Sequence, residues 1–148
     1  MSLRAERYQR QRFAEIAATF ILETLLPAAV LVASANLTLA QDIDQGAIAF
    51  KKCAICHEIG PGAANGIGPE LNGLAGRLSG SVPEFNYSDA NKNAHVVWNE
   101  ETFEEYIQDP QAKIPGTKKI FAGIKNEKEA KNLWAYLKRF DTQGNLNR

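Results

Sequence analysis

Two cysteines stand three positions apart, and a histidine follows the second: Cys53, Cys56 and His57 in the run KCAICH. They are the only cysteines of the chain. Two thiols one helical turn apart can each add to a vinyl group of one porphyrin, and the histidine beside them can reach the iron, which is the c-type haem attachment pattern. Covalent attachment suits an exported protein, because the cofactor cannot then be lost. A structural zinc site usually takes four ligands, and only His95 remains to join from afar. A redox dithiol of the thioredoxin kind needs a βαβ setting that the sequence lacks. A zinc or disulfide module therefore stays as the weaker rival to haem.

The chain that must position these residues has 148 residues, with 17 basic and 17 acidic side chains, which is one domain's worth plus a tail. The balanced charge gives no sign of a nucleic-acid partner. The first forty residues differ from the rest. Their four basic residues, Arg4, Arg7, Arg10 and Arg12, precede an apolar stretch that includes TLLPAAVLVASA. A cationic n-region over 1–15, an apolar core over about 16–35 and small residues at Thr38 and Ala40 read as a secretory signal, cleaved after Ala40. An uncleaved anchor is the rival, but Glu23 and Pro27 interrupt the run before it reaches the roughly 20 apolar residues of a span. Cleavage would send residues 41–148 to the periplasm with 13 basic side chains against 14 acidic ones.

In the mature part, Asp42 or Asp44 caps a first helix through GAIAFKKCAICHEI. Residues 60–93 are crowded with Gly, Pro, Asn and Ser and read as a long loop. A helix over 99–108 carries Phe103, Tyr106 and Ile107 on one face and stops at Pro110. The last helix, NEKEAKNLWAYLKRF, is capped by Asn126 and presents Leu133, Tyr136, Leu137 and Phe140. Three short helices and a long loop supply little ordinary core for about 108 residues. A bulky apolar group such as a haem would fill the centre.

The stretches GAIAFKKCAICHEIGPGA, IGPELNGLAGRLSG, FNYSDANKN, VVWNEETFEEYIQDPQAKIPGTK and IFAGIK resemble a class I cytochrome c of the bacterial cytochrome c2 branch. They cover nearly everything from Gly46 to Phe140. The resemblance implies an all-α fold, with helices and long loops wrapped around one haem c held through Cys53 and Cys56. It implies that the Pro69 carbonyl orients His57, and that Arg77, Tyr87 and Trp98 meet the haem propionates. It implies a polar network of Asn91, Tyr106 and Thr117 behind the distal ligand, with Phe121 shielding that edge. Gly46 and Phe50 would pack against Leu133 and Tyr136 where the first and last helices cross. Read without the resemblance, Tyr87, Trp98 and Tyr106 are ordinary core aromatics and Arg77 a surface charge.

In that family a methionine follows PGTK as the distal iron ligand; this chain reads PGTKK, with Lys119 in its place. The sole methionine, Met1, lies in the signal segment, so thioether ligation has no other source. The expected metal ligands are His57 and Lys119. Lys118 or His95 is the alternative sixth ligand, and an open or water-bound iron is the third state. An amine favours ferric iron, so the potential falls below that of a His/Met haem. The implied role is not enzymatic: a monomeric carrier of single electrons. Its implied partners are a quinol–cytochrome c reductase and a photosynthetic reaction centre or terminal oxidase, docked through Lys51, Lys52, Lys118 and Lys125. The competing reading is a labile haem with peroxidase-like or CO- and NO-binding activity.

Overall fold

The computed structural model describes residues 41–147. The signal-segment reading of 1–40 lies outside the described residues. Among the described residues no helix is long and apolar enough to cross a membrane. The architecture is all-α: α1 (Ile43–Phe50), α2 (Asp89–Asn93), α3 (Glu100–Gln108), α4 (Pro110–Lys113) and α5 (Glu127–Leu137), joined by turns and two isolated β-bridges.

Crossing of α1 and α5 forms the frame. Asp42 caps α1 by accepting from the Gln45 N–H, and Asn126 caps α5 by accepting from the Glu129 N–H. Gly46 lies against α5 so closely that a Cβ there would stand 2.1 Å from the Asn132 carbonyl oxygen. No other residue allows that approach. The Asp42 N–H donates to Asn132 Oδ1 at 2.9 Å, and the Phe50 and Tyr136 rings lie 5.6 Å apart. On the far side of α5, Trp134 meets Phe103 of α3 with ring centroids 5.3 Å apart. Leu133 and Leu137 are fully buried between these contacts, and Trp134 joins them in the core although it falls outside the apolar stripe expected from the sequence.

Several boundaries differ from the sequence reading. Helix α1 ends at Phe50, and the chain continues through Cys53 and Cys56 as tightened turns, with Lys52 N–H to Ala49 and Cys53 N–H to Phe50. These are i→i−3 bonds, which overwind the segment. Phe140 lies past the end of α5, in a bridge with Leu146. Within the expected loop, Ser88 caps the short helix α2 by accepting from the Asn91 N–H. Pro110 ends α3 as expected but also begins α4, where its missing N–H costs nothing at the first helical position.

Candidate functional site

The tightened turns after α1, the 66–80 loop, α2, α3 and the 117–121 loop enclose a cavity of about 360 Å³. Leu74, Trp98, Phe103, Ile107 and Leu137 give it apolar walls. Every residue expected at a cofactor from the sequence lines it: Cys53, Cys56, His57, Pro69, Arg77, Tyr87, Asn91, Trp98, Tyr106, Thr117 and Lys119. Lys118 and Phe121 line it as well. His95 does not; it is exposed and sits at φ 52° on the outer surface.

His57 is oriented from behind. Its Nδ1–H donates to the Pro69 carbonyl at 2.7 Å, which fixes the tautomer and leaves the Nε2 lone pair free. The loop closes so tightly on the ring that a Cβ on Gly68 would stand 2.3 Å from His57 Cε1. Gly68 N–H in turn donates to the Cys56 carbonyl at 2.7 Å. Burial, assisted by the charges of Lys119 and Arg77, lowers the His57 pKa to about 4, so the imidazole is neutral at pH 7.

Lys119 meets that free nitrogen: its Nζ donates to His57 Nε2 at 3.2 Å. Burial pushes the Lys119 ammonium below the usual lysine range, which favours a neutral, donor-capable amine. Its Nζ also lies 5.2 Å from the centre of the Phe121 ring. The loop carrying it is pinned by buried Thr117, whose Oγ1 accepts from Asn91 Nδ2 at 3.0 Å and from the Lys119 N–H at 3.3 Å. Thr117 also bonds the Tyr106 oxygen, and Gln111 Nε2 donates to the Thr117 carbonyl at 2.8 Å.

Both thiols are free, and burial raises the pKa of Cys53. Among the described residues no group of three or more His, Cys, Asp or Glu gathers to hold a metal ion by itself, which does not favour a structural zinc site. The residues fit a porphyrin instead: apolar walls, two thiols on one rim, an imidazole with its lone pair turned inward, and an amine facing it.

Arg77 departs from the simple expectation. It lines the cavity, but its guanidinium is tied to Glu70, with Nη1 donating to Glu70 Oε1 at 2.8 Å and Nη2 to the Glu70 carbonyl at 2.9 Å. Nη1 also donates to the Asn72 carbonyl at 2.8 Å. Glu70 is the partner that sequence reasoning missed; the only signal was its place directly after Pro69.

Fold and site together define a helical haem-attaching protein. No protein-family profile matches the chain. Individual relatives do. A cytochrome c2 of Rhodoplanes tepidamans is 61% identical over 104 residues, covering 70% of this chain and 97% of the relative. A cytochrome c2 of Blastochloris viridis is 56% identical over 115 residues, covering 78% and 91%. A cytochrome c-550 of Bradyrhizobium diazoefficiens is 59% identical over 101 residues, covering 68% and 74%. Among solved structures, cytochrome c2 from Rhodospirillum centenum superposes with a TM-score of 0.65 at 36% identity, covering 68% of this chain and 98% of that one. The chain belongs to the class I cytochromes c, with the cytochromes c2 and c-550. It is an electron carrier rather than an enzyme, and it carries one covalent haem c, for which Cys53 and Cys56 are the only thiols.

Proposed function

We propose that this protein is a periplasmic single-electron carrier whose haem iron is held by His57 and Lys119, at a reduction potential lower than methionine ligation would give. The observation that carries the reading is the meeting of Lys119 Nζ and His57 Nε2 at 3.2 Å across the cavity. Two donors on opposite walls point at one another, and the sequence holds no methionine besides Met1. When bound, the haem supplies a one-electron Fe(III)/Fe(II) couple.

The chain's own residues do the rest. His57 supplies the proximal nitrogen, and the Pro69 carbonyl raises its basicity by accepting the Nδ1 proton. Lys119 supplies the distal nitrogen once neutral. Deprotonating an ordinary lysine at pH 7 costs about 4.6 kcal/mol, and burial of the Lys119 side chain offsets part of that. Thr117 and Asn91 hold its loop against the cavity. Tyr87 and Trp98, with Arg77, provide the polar rim against which haem propionates would lie.

Lys52, Lys118, Ile67 and Ile120 frame the cavity mouth, and Ile67 and Ile120 are almost wholly exposed. An apolar centre ringed by lysines suits brief, salt-sensitive docking to an acidic surface. By resemblance those surfaces belong to a quinol–cytochrome c reductase and to a photosynthetic reaction centre or terminal oxidase. The carrier acts as a monomer, exported and cut after Ala40.

Redox titration of the parent and of Lys119→Met tests the ligation. The methionine variant takes a higher midpoint potential, because a thioether stabilises Fe(II) relative to an amine. Equal potentials for the two proteins would mean that Lys119 does not touch the iron.

A further inference from the structure

We propose that Glu70 is a positioning residue for the haem site: it locks the Arg77 guanidinium into the cavity wall and, by offsetting that charge, lowers the reduction potential. This goes beyond the carrier reading and does not depend on which group binds opposite His57.

Glu70 is held at several points. Its N–H donates to Asn65 Oδ1 at 3.1 Å, and its Oε2 accepts from the Asn72 N–H at 2.6 Å. Its other carboxylate oxygen and its carbonyl each take a guanidinium nitrogen of Arg77. With the bond to the Asn72 carbonyl, three contacts are spent on the protein. A guanidinium has five N–H donors in a fixed fork, so those left over can serve only a group in a fixed place. Arg77 lines the cavity whereas Glu70 stands behind it. The cation therefore faces the haem and the anion backs the cation.

The pair is largely withdrawn from water, with side-chain exposures of 15% for Arg77 and 20% for Glu70. Charges so placed are weakly screened. A lone guanidinium on the wall would favour Fe(II), since reduction removes one positive charge from the site. The Glu70 carboxylate cancels part of that preference and pulls the couple toward Fe(III). The same peptide segment also serves the proximal ligand, because the Pro69 carbonyl immediately before Glu70 orients His57. Residues 69–70 thus tie the imidazole and the guanidinium to adjacent points of one segment.

The experiment is an equilibrium redox titration of holoprotein carrying Glu70→Gln or Glu70→Asp, with near-infrared spectra recorded to confirm unchanged axial ligands. Glutamine keeps the shape and an acceptor but removes the charge. At the parent's midpoint poise, Glu70→Gln is roughly threefold to tenfold more reduced than oxidised, while Glu70→Asp stays within about twofold of parity because its charge remains. Parity in Glu70→Gln, or a shift in Glu70→Asp equal to that in Glu70→Gln, overturns the proposal. Should Glu70→Gln fail to retain haem, Glu70→Asn and Glu70→Asp supply the same charge contrast; equal potentials for that pair likewise overturn it.

Discussion

Lys119 and His57 approach one another across the cavity with their nitrogens 3.2 Å apart, and each is held by a different part of the chain. His57 is backed by Pro69 and Gly68, whereas Lys119 rides on a loop pinned through Thr117 to α2 and α3. The ring nitrogen cannot turn away, because its partner nitrogen is already bonded. The amine is held less firmly: besides its contacts with His57 and the Phe121 ring it has no partner among the described residues, and its loop is tied through the Lys119 backbone N–H. The two nitrogens therefore differ, the imidazole being rigid and the amine yielding.

Rigidity on the histidine side has a direct test in Gly68→Ala. The added Cβ would stand 2.3 Å from His57 Cε1, so the ring or the loop must shift. Overpacking of this kind costs about 1–3 kcal/mol. Thermal unfolding of the holoprotein should therefore begin several degrees lower, with a perturbed ferric spectrum. An unchanged melting temperature and spectrum would show that the loop relaxes freely and does not clamp the ring.

His95 occupies left-handed backbone at φ 52°, where a side chain normally costs about 1–2 kcal/mol. His95→Gly removes that strain, less the roughly 0.5–1 kcal/mol by which glycine's freedom favours the unfolded chain. A net gain of roughly 0.5 kcal/mol in denaturant unfolding is expected, with no change in the haem spectrum, since His95 is not on the cavity. A spectral change would place His95 on the iron and contradict the ligand assignment.

Strong acid should loosen the C-terminal turn. Asp141 accepts from the Asn145 and Gln143 N–H groups, each at 2.8 Å, and these bonds hold its carboxyl below the usual range. A depressed folded value means the stabilising contribution is complete above the unfolded pKa of about 3.9 and is lost as pH falls through the lower folded one. Amide resonances of Gln143 and Asn145 should titrate together in that window, and Asp141→Asn should abolish the change. Indifference of both amides to acid would refute it.

Much of this site was legible in the chain because its parts are local. The spacing of Cys53, Cys56 and His57 is a one-turn relationship, and the caps at Asp42 and Asn126 act over three residues. The resemblance extended that reach to Pro69, Thr117 and Lys119, all of which line the cavity. What escaped depends on the chain folding back. Glu70 and Arg77 face each other only because the 70–77 loop closes, and seven residues of separation carry no helical or strand signature. Trp134 is buried because α3 supplies Phe103 from across the core, not because of its place on α5. Helices α2 and α4 are too short to show a period, and Pro110 reads as a stop whether or not a new turn begins at it. The early end of α1 follows from a shift to i→i−3 bonding that side-chain types do not announce.

Near-infrared magnetic circular dichroism of the ferric protein at neutral pH, recorded for the parent and for Lys119→Ala, decides whether the Lys119 amine binds the iron. A low-spin signature of histidine–amine ligation is expected in the parent, and its loss in Lys119→Ala. A high-spin or water-bound signature in the parent, or identical spectra from the two proteins, would contradict it.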